Sequence, residues 1–165
     1  MTTAWKTQHR RSTVIREVLT RLERTRDGRL PWQEVPGAVE VFGEPGALLR
    51  ALQLTWFARL TAALDLAMEA GDSDPVEEVQ MAWYDLAWRT PGLRRVLDAH
   101  QQDPAVAPGR VQEYRALAVS AGLATLDEPS AIAAARGRQL VTVGQAATPA
   151  PASAWGPSVP AMRTG

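Results

Sequence analysis

The chain has 165 residues, with 18 basic and 18 acidic side chains, 45% hydrophobic residues and no cysteine. That length fits one domain with enough apolar residues to bury a core unaided. The lack of cysteine excludes disulfide frameworks, thiolate catalysis and cysteine-held zinc or iron–sulfur sites, and only two histidines, His9 and His100, are present for any imidazole-rich metal centre.

Residues 12–26 read as an amphipathic helix. Ser12 or Thr13 can cap it, Ile15, Val18, Leu19 and Leu22 fall on one stripe, and Asp27 with Gly28 ends it. Residues 30–46 are broken by Pro31, Pro36, Pro45, Gly37, Gly43 and Gly46, which cannot continue a helix. The same segment carries Trp32, Val35, Val39, Val41 and Phe42. It is therefore expected to pack as a Pro-rich loop that buries Trp32 and Phe42, with a short extended piece at 38–42.

Residues 44–70 form the central helix of this reading. Leu49, Leu52, Trp56, Leu60, Ala63, Leu64 and Ala67 recur at spacings of three and four, and Leu48, Leu54 and Phe57 add a second flank. A stripe that wide predicts contact on more than one side. Asp74 and Pro75 then supply a cap and a first-turn proline for a helix over 74–90. Val76, Val79, Trp83 and Leu86 make its first stripe, and Met81, Tyr84 and Trp88 a second.

A shorter helix is expected over 91–102, with Leu93, Val96 and Leu97 inward, and another over 110–122, with Val111, Tyr114, Leu117, Ala118 and Ala121 inward. Residues 129–140 add an Ala-rich turn or two. From 141 onward the chain turns to Ala, Pro, Ser, Thr and Gly, with Trp155 alone among them. The expected fold is all-α: an irregular bundle of four to five helices with a packed Pro-rich loop. It forms a single helical domain over residues 1–140, followed by a disordered Ala/Pro/Ser-rich tail over 141–165.

The motifs of several enzyme classes are missing. No glycine-rich loop leads to Lys-Ser/Thr, the one lysine being Lys6, and no Gly-x-Ser-x-Gly elbow occurs. No Glu stands three residues before a His, as helical di-iron sites require. The acidic run Asp72, Asp74, Glu77 and Glu78 lies at a helix start, where capping accounts for it. No metal and no cofactor is expected.

One pair, Arg95 and His100, is separated by four residues. This is similar to the Arg-x4–6-His signature of HEPN-type ribonucleases. The resemblance implies a dimer cleft in which His100 serves as general acid or base and Arg95 stabilises the charged phosphorane. It covers six residues, and Val96 stands where the family has a polar residue.

Charge is uneven along the chain. Residues 1–30 hold eight basic side chains against three acidic ones, and residues 31–100 hold five against eleven. Arg10, Arg11, Arg16, Arg21 and Arg24 could lie along a phosphate backbone, or could complement the acidic remainder of the fold. No recognition helix follows them in helix-turn-helix fashion.

Trp56, Trp83, Tyr84 and Trp88 are candidates for a pocket wall or an interface, with Trp56 and Trp83 assigned to the core and Trp88 to a contact surface. No stretch is apolar enough to span a membrane, and residues 1–11 are polar and basic, without an apolar signal segment behind them. The high Arg and Ala content reflects a GC-rich, bacterial type of genome, and the expected location is the cytoplasm.

Catalytic residue types are scarce and apolar helix surface is plentiful. The sequence is accordingly read as a non-catalytic adaptor or regulatory protein that meets a protein partner or a second copy of itself. The alternatives are a nucleic-acid-associated protein using the basic first helix, with the Arg95–His100 ribonuclease as its sharper form, and a binder of a small apolar ligand.

Overall fold

In the computed structural model, residues 3–70 and 74–147 are described. They form α1 (Thr3–Thr25), α2 (Ala38–Phe42), α3 (Pro45–Ala70), α4 (Pro75–Arg89), α5 (Pro91–Ala99), α6 (Ala107–Ser120) and α7 (Ser130–Ala147). The described residues contain no strand. The described residues are all-α, with seven helices rather than four or five. None of the described helices is long and apolar enough to cross a membrane.

α1 begins nine residues before the expected cap. The hydroxyls of Ser12 and Thr13 turn back onto the carbonyls of Gln8 and His9, so neither residue interrupts the helix. Trp5 stacks on His9 one turn further on, with ring centroids 5.3 Å apart. The buried line is Val14, Val18 and Leu22, with Ile15 and Leu19 half-buried beside it. The helix closes when Arg26 takes a left-handed backbone, φ 49°, and donates its N–H to the Leu22 carbonyl.

The Pro-rich segment is packed, as its apolar residues require. Val35, Ala38 and Phe42 are buried and Trp32 is half-buried. The piece at 38–42 is helical rather than extended. It has no strand to pair with, and closing one helical turn satisfies its own backbone, as in the bond from Val41 N to the Gly37 carbonyl.

α3 is the central element and touches α2, α4, α5 and α6. It buries Leu48, Leu49, Leu52, Trp56, Leu60 and Leu64. Leu54, expected on a second apolar flank, is exposed. Asp74 caps α4 as its sequence implies, accepting from Val76 N at 3.1 Å. α4 buries Val79, Trp83 and Leu86 against the core.

α5 ends at Ala99, three residues short of the expected boundary. Its first turn is capped from another helix: Glu23 of α1 accepts from the N–H groups of Gly92 and Leu93, both at 3.1 Å. Gly92 permits that approach, because a Cβ there would sit on the Leu22 carbonyl, 2.7 Å from the Glu23 nitrogen. Glu23→Ala leaves both donors without their acceptor. It should cost about 1 kcal/mol, the usual size of a lost cap, read as a lower urea midpoint at an unchanged slope.

α7 is a full helix rather than a turn or two, and it runs seven residues past the expected domain end at 140. Ala133, Ala134, Leu140 and Val141 are buried on its inner side, and it lies along α6 and reaches α4. Side chains of α4 hold its far half: Gln80 Nε2 donates to the Leu140 carbonyl at 2.8 Å, and the Tyr84 hydroxyl donates to the Val141 carbonyl. Residues 148–165, including Trp155, lie outside the described residues, as does the turn expected at 71–73.

Candidate functional site

The centre of the fold holds an ion pair. Glu113 of α6 is 1% exposed, and Arg94 of α5 and Gln53 of α3 are also buried. One carboxylate oxygen of Glu113 accepts from Trp83 Nε1 at 3.0 Å and from Arg94 Nη1 at 3.2 Å. The other accepts from Gln53 Nε2 at 3.1 Å. Four helices thus contribute to one carboxylate. The Arg94 guanidinium lies over the Trp56 ring, 4.6 Å from its centroid, and 5.7 Å from that of Trp83. Trp56 and Trp83 meet edge to face at 5.9 Å.

This arrangement is costly. Gln53 Oε1, Trp56 Nε1 and Arg94 Nε have no hydrogen-bond partner. A buried pair offsets its desolvation only with good geometry and additional hydrogen bonds. Glu113 has those bonds.

The network continues outward through Asp98, whose Oδ1 accepts from Arg94 Nη2 at 2.8 Å and from Arg110 Nη1 at 3.4 Å. Arg110 Nη2 in turn donates to the Tyr114 hydroxyl at 2.6 Å, and its guanidinium sits 5.4 Å from the Tyr114 ring centroid. Burial works against the Arg110 charge. Tyr114, Glu113 and Asp98 outweigh it, so its pKa is raised above the ordinary arginine value. Arg110 therefore remains a fixed cation.

Asp98, Arg110 and Tyr114 open onto a cleft of about 640 Å³, together with Trp83, Gln101, Gln102, Arg138, Val141 and Thr142. α5, α6 and α7 supply its walls, and the Trp83 side chain of α4 reaches it from the core. Its lining is mostly polar, which does not match the apolar ligand expected for a Trp-lined pocket.

The residues singled out from the sequence are spread over the molecule. Trp56 and Trp83 are buried in the network, and Tyr84 is half-buried against Trp83, with centroids 5.1 Å apart. Trp88 lies on the outer side of α4, 83% exposed. Arg95 Nη1 donates to the Arg26 carbonyl at 2.6 Å, tying α5 to the end of α1. His100 Nδ1 lies 2.8 Å from the carbonyl of Val96 in its own helix. Neither lines the cleft.

The basic residues of α1 divide. Arg11 lies over Phe42, 4.6 Å from the ring centroid, and Arg21 pairs with Glu34. Arg10, Arg16 and Arg24 are exposed. Part of the charge asymmetry is thus answered inside the fold. Among the described residues, no three His, Asp or Glu side chains converge as a metal ion would need.

Sequence reasoning missed Arg94, Glu113, Gln53, Asp98, Arg110 and Arg138. One signal for Glu113 was present: it shares a spacing of four with the buried Leu117 and Ala121. The inner side of α6 is turned toward it, and Val111, expected inward, is exposed. No protein-family model, curated protein or solved structure matches this chain.

Proposed function

We propose that this protein acts by association and not by catalysis, as a helical adaptor or regulatory protein whose irregular bundle pairs with a second copy through the outer face of α4. The observation that carries this reading is Trp88, 83% exposed, with Met81 71% exposed seven residues before it on the side facing away from Val79, Trp83 and Leu86. Two large side chains so placed leave apolar area in water that association would cover. Trp is also among the residues enriched at interface hot spots.

The face is self-complementary. Glu77 stands at one end and Arg89 at the other, with Asp85 between them held by Arg89 at 2.6 Å. An antiparallel approach of two α4 helices brings Trp88 toward Met81 of the other copy and Arg89 toward its Glu77. It also opposes the two helix dipoles.

Light scattering over a concentration series tests this. The expected mass is that of a dimer, and Trp88→Ala should give a monomer that still unfolds cooperatively, its stability lower only by the association free energy it no longer gains. A monomeric wild type, or a dimer that survives both Trp88→Ala and Met81→Ala, overturns the reading.

A further inference from the structure

We propose that the cleft between α5, α6 and α7 is a binding site for a small organic acid, one whose carboxylate meets Arg138 and Arg110 while a neighbouring hydroxyl or amine donates to Asp98. Its volume, about 640 Å³, lies in the range that takes small ligands.

The charges around the cleft do not cancel. Arg94, Arg110 and Arg138 stand against Glu113 and Asp98. Arg94 is committed to both acids, and Arg110 holds Asp98 only at 3.4 Å. Arg138 lines the cleft and has no ion pair among the described residues. One positive charge therefore faces the cleft uncompensated, which favours an anion.

One of the two arginines is held in place before any ligand arrives. Arg110 is mostly buried and is fixed from two sides, by Tyr114 and by Asp98. The Tyr114 oxygen accepts from Arg110, so its own proton is left to donate outward. Arg138 and Thr142 lie on the stretch of α7 that Gln80 and Tyr84 tie to α4. A preorganised charged donor such as Arg110 makes the stronger class of hydrogen bond.

Asp98 narrows the ligand class. Its Oδ1 takes both arginines, and Oδ2 has no donor among the described residues. That oxygen repels a second negative charge and favours a hydrogen-bond donor. A phosphate, carrying roughly −1.5 to −2 at neutral pH, meets more repulsion there than a single carboxylate does. Gln101 and Gln102 add amides able to donate or accept along the rim.

The test is calorimetric titration at low ionic strength with four probes: gluconate, L-glutamine, propionate and inorganic phosphate. Gluconate or glutamine should bind saturably, and at least about tenfold more tightly than propionate, which lacks the donor for Asp98. Arg138→Gln should weaken that binding at least about tenfold. Arg138 is exposed, so thermal unfolding should confirm that the variant still folds. Arg59→Gln, on α3 and outside the cleft, should bind as the wild type does.

Three results overturn the proposal: no saturable binding of any probe up to about 10 mM, binding that Arg138→Gln leaves unchanged, or binding of phosphate in preference to every carboxylate. None of these depends on whether two copies associate through α4, which light scattering reads separately.

Discussion

Glu113→Ala is expected to lower the stability of the fold by about 3–5 kcal/mol, the range seen when one partner of a buried ion pair is removed. The substitution takes the acceptor away from three donors at once: Arg94 Nη1, Trp83 Nε1 and Gln53 Nε2. Arg94 stays buried among the rings of Trp56 and Trp83, with only the half-exposed Asp98 left to answer its charge. Against a typical total of about 5–15 kcal/mol, that is a large share.

The loss in the single variant is mainly the penalty of an orphaned charge and orphaned donors, and not the net worth of the pair. Arg94→Met combined with Glu113→Leu should therefore recover much of it, because apolar replacements of similar volume remove the desolvation cost as well. Recovery will be partial, since Trp83 Nε1 and Gln53 Nε2 still lose their acceptor. Urea unfolding of the two single variants and the double variant measures the coupling directly. A Glu113→Ala protein within about 1 kcal/mol of the wild type, the average loss for any substitution, would show that the network does not hold the core together.

Gly137→Ala should destabilise by about 1–3 kcal/mol or more, in the manner of other overpacking substitutions. Two effects oppose each other here. Alanine is favoured over glycine inside a helix by about 1 kcal/mol, which alone would make the variant more stable. But a Cβ at 137 falls on the backbone carbonyl of Tyr114 in α6, 2.6 Å from its carbon. Backbone inside a helix cannot turn aside as a side-chain tip would, so α7 must move away from α6. The steric term decides the sign.

In a domain of this size each kcal/mol corresponds to about 2–4 °C in Tm, so the shift is readily measured. The displacement also moves Arg138 and Thr142 away from Arg110 and Tyr114. Gly137→Ala should thus weaken any binding in the cleft while leaving the outer face of α4 and its association intact. An unchanged or higher Tm would mean that α6 and α7 have room to separate without loss.

Much of this molecule was legible in its local patterns. The all-α class, the central position of α3, the Asp74 cap of α4 and the inward faces of Trp56 and Trp83 follow from apolar spacing and from side chains that satisfy a nearby helix end. These are short-range effects, set by residues three, four or seven apart. The same reasoning misplaced the start of α1, because a serine or threonine hydroxyl caps a helix or folds back onto its own turn with equal chemistry. It also cut α7 short, because an Ala-rich segment carries a weak apolar stripe until α6 is laid against it.

The site was not legible, for a different reason. Glu113 meets Arg94, Trp83 and Gln53 across 19, 30 and 60 residues of chain. A charged residue on an inner stripe reads as an exposed one until its counter-charge is known. The cleft, likewise, is assembled from side chains of four helices and the α5–α6 connection, which form no motif along the sequence. The sequence by itself determined the helical class and most of the apolar faces, since both depend on neighbouring residues along one helix. The tertiary structure alone decided which charges are buried and which side chains meet at the cleft, since those depend on which helices pack side by side.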